Sequence, residues 1–375
     1  GFDIEILTGF PNYPKGKIYD GYKLRLFQRE VIEGININRV FLYPSHNNNS
    51  IQRSINYISF SISSVIFGLL KIKKPDIIYA YHPPITVGIA AVILKNIFNI
   101  PLVYDIQDIW PDSLKATGMV KNKALIHFIG FICNLIYKSS DKLVVLSPGF
   151  KNLLIKRGVN NKKIKIIYNW SNIKRGGGDF KKPPNLKKKR FNLVFAGNIG
   201  KAQSLDTIIK AAEILHKKNS KAIFQIIGDG IDLERLKNNV KDRRITNINF
   251  IPRVPQNEVS VYLENANAFI VHLKNEDLFK ITIPSKTQAY MAFGKPIIMA
   301  VKGDAANLIK KSKCGLICEP ENYKQIAKTI QKLISLEQSK LEIMGNNALE
   351  YYKKELSVEK GIQKFSNIFY SLLWW

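Results

Sequence analysis

Cysteine is nearly absent from this chain: Cys133, Cys314 and Cys318 are the only three in 375 residues. Three thiols make no even disulfide framework, and Cys314 with Cys318 lacks the second pair that a structural zinc site needs. They read as core or near-surface thiols of a protein suited to a reducing compartment such as the cytoplasm. No segment repeats at a fixed period, which removes solenoids and propellers, and Gly, Pro and Ser are too dilute for long disorder. Residues 1–10 read as a strand, not as the charged and then apolar segment of a secretory signal. Carboxylates are scarce as well: 29 acidic residues face 57 basic ones, for a net charge of +28. A positive potential of that size calls for anionic partners, although part of it fits a Lys-, Ile- and Asn-rich composition that merely decorates the surface. The lysines are spread along the chain without a zinc-finger, RNA-recognition or helix-turn-helix pattern, so nucleic acid is not the expected partner. Anionic lipid headgroups and nucleotide phosphates are.

What is present is ample apolar material, 46% of the residues, in a chain longer than one core usually organises. Short runs rich in Ile and Val at 2–7, 76–79, 102–104, 143–146 and 165–168 have the form of buried parallel strands. Helix-length segments at 54–70, 86–98, 125–137 and 149–157 lie between them. The alternation restarts with strands at 192–196, 223–227, 248–250, 268–271 and 297–300, and with helices at 205–217, 232–240, 258–265 and 285–293. Two α/β domains with doubly wound sheets follow. The expected division is 1–172 for the first domain, 173–190 for a linker and 191–356 for the second, with a closing helix at 357–375 packing back on the first. The linker rests on Gly176-Gly177-Gly178, Pro183-Pro184 and the basic run Lys187-Lys188-Lys189-Arg190.

Segment 54–70 carries no charge over seventeen residues, and 125–137 is apolar nearly all round. Both are short for a membrane span of about 20 residues. Two readings stay open: buried helices of the first core, or a patch dipping into a bilayer surface. Lys71, Lys73, Lys74, Lys121, Lys123 and Lys138 flank them and favour anionic lipid in the second case.

The chemistry-bearing stretches sit at strand ends. Strand 192–196 runs into Gly197-Asn198-Ile199-Gly200-Lys201-Ala202-Gln203-Ser204 and then a helix, a turn of the kind that aims backbone N–H groups and a helix N-terminus at an anion. Gly197 and Gly200 permit close backbone approach, while Lys201 and Gln203 offer a charge and a hydrogen bond; glycines needed for geometry alone explain the same turn. A second element runs from Ile281 to Pro296, with Pro284, Ser285 and Lys286 as helix start and Gly294 with Pro296 as stop. Strand ends converging on one crevice are where open α/β sheets bind ligands.

These residues, in this order, carry a resemblance. Phe195-Ala196-Gly197-Asn198-Ile199-Gly200, then Ile226-Ile227-Gly228-Asp229-Gly230, then Phe250-Ile251-Pro252-Arg253-Val254, then Pro284-Ser285-Lys286 through Gly294-Lys295-Pro296 resemble the donor domain of glycosyltransferase family 4. Thr8-Gly9-Phe10-Pro11-Asn12-Tyr13-Pro14, Lys74-Pro75-Asp76, Pro83-Pro84 and Asp108-Ile109-Trp110-Pro111-Asp112-Ser113 are similar to its WbuB-like subgroup, which assembles bacterial surface polysaccharides. The resemblance covers nearly the whole chain. It implies a GT-B fold, two Rossmann-like domains facing a cleft, and a retaining transfer without obligatory metal or other cofactor. It further implies a nucleotide-sugar donor, with uridine the favoured base, and a saccharide or polyprenyl-diphosphate-linked acceptor at the inner face of the plasma membrane.

On this resemblance the donor site takes Gly197, Asn198, Gly200, Gln203, Asp229, Gly230, Arg253 and Ser285, the catalytic role falls on Asp108, Lys286 and Lys201, and His82 and Gln107 lie on the acceptor side. The chain also departs from the family. Its Glu-x7-Glu positions hold Ile281 and Ala289, its usual Arg and Lys for the diphosphate are Asn198 and Gln203, and Gln107 stands where many members have His. Front-face transfer needs the leaving diphosphate stabilised more than it needs a protein nucleophile, so the lost carboxylates bear on sugar and ribose recognition first. Asp108 also reads as a helix cap or turn residue before Trp110-Pro111, His82 as a structural histidine and Arg253 as a surface residue. Two other functions stay open: a nucleotide-sugar 2-epimerase on the same fold, and a silent, membrane-bound assembly partner. The resemblance also places strand 2–7 second in its sheet, which leads to the expectation that a strand and helix of roughly 30 residues precede Gly1 in the natural chain.

Overall fold

The computed structural model describes residues 1–13, 15–45, 50–116, 119–120, 122–173, 176 and 190–373. Most of the expected linker, 173–190, lies outside the described residues, as does Lys121. In chain order the elements are β1 Glu5–Gly9, β2 Phe27–Ile32, β3 Ile35–Val40, α1 Ser50–Lys71, β4 Ile78–His82, α2 Ile85–Phe98, β5 Leu102–Ile106, α3 Asp112–Ala116, α4 Lys123–Ser139, β6 Lys142–Val145, α5 Pro148–Lys156 and β7 Ile164–Ile166. There follow β8 Phe191–Ala196, α6 Leu205–Lys217, β9 Ala222–Ile227, α7 Leu233–Asp242, β10 Ile248–Ile251, α8 Gln256–Glu264, β11 Ala268–His272, α9 Asp277–Lys280 and α10 Ser285–Ala292. The last are β12 Ile297–Ala300, α11 Asp304–Ser312, β13 Gly315–Ile317, α12 Tyr323–Ile334, α13 Gln338–Tyr351 and α14 Val358–Leu373. Contacts divide the chain into two units: residues 1–145, 151–166 and 366–375 form one, and 146–150 with 167–365 form the other.

The first unit holds two sheets. β4-β5-β6-β7 is parallel throughout, and β5, the apolar run Leu102-Val103-Tyr104 followed by Asp105 and Ile106, is buried at every residue, as a strand covered on both faces must be. The other sheet has the order β1-β3-β2, with β2 and β3 an antiparallel hairpin turning on Glu33 and Gly34 at φ 52° and 81°. Reading the sequence for apolar runs misses this hairpin. Its strands mix polar and charged residues with apolar ones, and only the Glu-Gly pair, which accepts positive φ, marks the turn. The far end of α14 closes on this unit through Phe369, whose ring meets Phe2 at 5.5 Å and Tyr79 at 6.3 Å.

The second unit is a six-stranded parallel sheet of order β10-β9-β8-β11-β12-β13. Alternate residues of each strand feed opposite faces, as the period of two demands. Leu193, Phe195, Phe224 and Ile226 meet α6 and α12 on one face, while Val194, Ile227, Phe269 and Val271 meet α10 and the end of α13 on the other. Each such side chain removed from water contributes about 1.5–3 kcal/mol. The chain leaves β8 toward β9 and β10 on one side and later returns to β8's other side as β11. The carboxyl ends of β8 and β11 therefore frame the point where strand order reverses. All three cysteines are buried and unpaired.

Candidate functional site

Two glycine-bearing strand ends build this face of the second unit. After β8 the chain turns at Gly197 with φ 141°, and after β9 it turns at Gly228 and Gly230 with φ 145° and 156°, values an L side chain rarely adopts. The two turns interlock. A methyl on Gly228 would sit 2.0 Å from the carbonyl oxygen of Gly197, and one on Gly230 would sit 2.3 Å from that of Ile199. Hydrogen bonds tie the same backbones: Gly197 N–H donates to Ile227 O at 2.9 Å, Ile199 N–H to Asp229 O at 2.8 Å, and Gly228 N–H to Ile251 O at 3.1 Å. The Asn198 side chain lies between Gly200 and Gly230, its amide atoms within 3 Å of where either residue's Cβ would stand.

The turn is not the open cradle of backbone donors that its glycines suggest. Besides Gly197 and Ile199, the N–H of Gly200 is engaged, by the Gln203 side-chain oxygen at 3.2 Å. Gln203 thus caps its own turn through that oxygen. The cationic contribution comes from the other side of the sheet's reversal. Tyr290 on α10 stacks on Phe269 at 4.2 Å, and its hydroxyl donates to Ala196 O at 3.3 Å and accepts from Ala196 N–H at 2.7 Å. One helical turn earlier on the same face is Lys286. Its ammonium sits 3.6 Å above the centre of the Phe195 ring and 3.2 Å from where a Gly197 side chain would begin. It is sealed from solvent with no hydrogen-bond partner among the described residues, and burial pushes its pKa down to about 7. A buried ammonium held only by a ring face is poised to gain from an anion.

His272, which closes β11, fixes the turn from below. Its Nδ1–H donates to the carbonyl of Gln203 at 2.7 Å, and its Nε2 accepts from the N–H of Glu321 at 3.0 Å. Those bonds select the neutral tautomer, and burial lowers the imidazole pKa further. Lys274 N–H adds a bond to Ala202 O at 2.9 Å. Nothing in the motif pattern singles out His272 or Tyr290. The available signal was a polar residue ending an apolar strand at the reversal point. Replacing His272 by leucine is expected to cost about 2 kcal/mol or more, because a buried carbonyl and a buried N–H lose their partners. The sign of the pH effect follows: below the free-histidine value of 6.5 the unfolded chain binds a proton that the folded one refuses. This histidine's contribution therefore declines as pH falls below that value. Denaturant titrations of parent and His272→Leu from pH 7.5 to 5 should converge as the pH drops; parallel curves would remove the assignment.

The remaining sequence candidates fall as follows. Lys201, Asp229, Arg253 and Ser285 are exposed, Arg253 just beyond β10 and Ser285 at the first position of α10. Asp108, Gln107 and His82 belong to the first unit. Asp108 accepts from the hydroxyl of Ser113, the second residue of α3, at 2.8 Å. Gln107 donates to Asp105 at 2.9 Å, and Asp105, which also accepts from the Tyr79 hydroxyl at 2.5 Å, is pushed up to about 6 by burial. His82 is buried against the rings of Tyr104 and Trp110, and burial drives its pKa down to about 3. It is neutral at physiological pH and shut off from solvent.

Comparison with known proteins matches both halves of the chain. Residues 1–170 fit the model of the glycosyl transferase 4-like domain, and residues 178–351 fit that of glycosyl transferases group 1. Among curated proteins, the chain is 25% identical over 298 residues to the probable glycosyltransferase WbjE of Pseudomonas aeruginosa, spanning 77% of this chain and 74% of that protein. It is 23% identical over 384 residues to the putative colanic acid biosynthesis glycosyl transferase WcaI of Escherichia coli, spanning 98% and 91%. Among solved structures, Anabaena HepE in complex with UDP superposes with a TM-score of 0.67 at 15% identity, covering 85% of this chain and 84% of that one.

Proposed function

Because the chain is a glycosyltransferase of the GT-B, family 4 type, its first half 4-like and its second half group 1, we propose that it transfers a sugar, with retention, from a UDP-sugar bound on the second unit to a lipid-linked acceptor in surface-polysaccharide assembly. The observation that carries the donor half is Lys286: a sealed ammonium without a hydrogen-bond partner among the described residues, beside the glycine turn at the sheet's reversal point. A diphosphate seated at Gly197 and Asn198 supplies the missing counter-charge, with Lys201 and the N-terminus of α10 at Ser285 beside it. As the glycosidic bond to the leaving phosphate breaks, negative charge grows on that phosphate, and a fixed cation already in place stabilises it without reorganising. Asp229 and Arg253, at the ends of β9 and β10, are the residues proposed to meet the nucleoside. UDP in the HepE complex and the colanic acid role in the name of WcaI favour this donor and this pathway class. The acceptor side is assigned to Asp108, with Gln107 beside it, in the first unit. The protein is proposed to work at the inner face of a plasma membrane, where its excess of cations meets anionic headgroups.

The test is a panel of UDP-sugars incubated with and without a polyprenyl-diphosphate-linked saccharide. UDP release that requires the acceptor is expected. Release of a C2-epimeric sugar without acceptor would replace the proposal with an epimerase, and no turnover with any pair would leave a binding protein.

A further inference from the structure

The helices of the first unit that were open to two readings from sequence do not bury themselves. On α1, Ile51, Ile55, Ile58, Ile62, Ile66 and Leu69 recur every three or four residues along one side, and all are exposed, Ile62 by 55%. α2, which lies so close against α1 that a methyl on Gly68 would stand 3.0 Å from Leu94, exposes Ile93 and Ile97. Between the two helices runs an apolar groove of about 340 Å³, walled by Ile58, Ile62 and Ile66 from one side and Ile89 and Ile93 from the other. The Ser61 hydroxyl at its edge already donates to Thr86 O at 2.8 Å, so it presents no unmet polar demand. α4, which touches α2 at Ile136 beside Gly88, exposes Leu125, Phe128, Phe131 and Leu135 in the same manner.

The charges say what covers this surface. α1, α2 and α4 contain not one aspartate or glutamate, and they carry Arg53, Lys71, Lys123 and Lys138; a fifth cation, Lys95, is taken up internally by Asp141 at 2.6 Å. By length and composition α1 is apolar enough to cross a bilayer. Its other side is occupied, however: Asn56 donates to Tyr43 O at 2.7 Å and Ser61 bonds to α2. The helix therefore lies along a surface. A second copy of the chain would meet these cations with its own, and a single helical seam would not extend over α2 and α4. We infer that the α1–α2 face, continued on α4, docks on an anionic phospholipid bilayer, with a lipid hydrocarbon chain lying in the groove between α1 and α2. The purpose of this docking rests on the membrane-borne acceptor proposed above; its physics does not.

Vesicles decide it. The purified chain of residues 1–375 should partition onto phosphatidylglycerol vesicles and weakly onto phosphatidylcholine, and the difference should shrink as salt is raised from 0.1 to 0.5 M, over which the screening length falls from about 10 Å to a few ångströms. Ile62→Glu with Ile66→Glu should weaken binding by about tenfold or more while leaving UDP affinity and the melting transition in place, which separates this surface from the donor site. For the groove, Ile62→Trp should be quenched by lipids brominated in the acyl chain well beyond the parent protein's own tryptophans. Equal binding to neutral and anionic vesicles, unchanged binding of the double variant, or quenching no greater than the parent's would each overturn the inference. So would a concentration-dependent dimer that the double variant dissociates in the absence of lipid.

Discussion

Lys286→Met should lower sugar transfer by about 100- to 1,000-fold, the usual loss when one preorganised group facing transition-state charge is removed, and should at the same time raise the protein's resistance to denaturant. Both halves follow from one geometry. The ammonium is sealed under the Gly197 turn with an aromatic ring for company and no hydrogen-bond acceptor among the described residues. A thioether of similar length fills the space without the desolvation cost, and replacing buried charge by packed apolar groups often gains about 1–4 kcal/mol. Burial holds the lysine at about 7, against 10.5 for the free side chain. Between those values the unfolded chain carries a proton that the folded one has shed. The destabilisation is thus complete below pH 7 and is relieved as pH rises toward 10.5, a slope the methionine variant lacks. A bound diphosphate reverses the preference, so UDP binding at pH 7.5–8.5 should take up a proton, measurable by calorimetry in buffers of different ionisation enthalpy. Proton uptake that survives in Lys286→Met, or transfer within threefold of the parent, would return this lysine to a packing role.

The second large effect is expected at Gly228. Alanine there must hold φ near 145° and place its methyl 2.0 Å from the Gly197 carbonyl oxygen, which is backbone in a residue whose N–H is tied to Ile227 O. Neither turn can retreat without breaking the ties between β8 and β9. A loss of about 3 kcal/mol or more in unfolding free energy follows, with donor binding lost alongside. Gly158 provides the contrast: its φ is 82°, yet nothing lies within 4 Å of the added carbon. Gly158→Ala should therefore cost only about 1 kcal/mol. Similar midpoints for the two variants in urea would show that the close approach at Gly228 relaxes easily.

The parallel strands of the second unit were readable because buried strands are written as unbroken runs of Ile, Val and Phe, and their ends as Gly, Pro or Asp. The β2–β3 hairpin escaped because its charged residues, such as Arg39 paired with Glu30 at 2.6 Å, satisfy one another inside the sheet. β13 escaped because three residues carry no period. At the site, the glycines and Lys286 stood out by position. Whether Gln203 faces a ligand or its own backbone was not legible, since a side chain and a solute compete for the same N–H with the same chemistry. His272 was invisible for the opposite reason: both of its bonds go to backbone groups far apart in the chain, and main-chain partners leave no trace in residue identity.

That histidine has a thermodynamic consequence. The segments after β8, β9, β11 and β13 are joined by bonds from His272, Lys274, Ile199 and Glu321 before any solute arrives. A loose glycine loop must surrender about 1–2 kcal/mol of conformational entropy for each residue it orders around a phosphate. Here that loss belongs to folding, so nearly all of the electrostatic attraction to an incoming anion remains available as affinity. Binding at this face should accordingly be driven by enthalpy with a small heat-capacity change, the signature of a rigid surface meeting a charge.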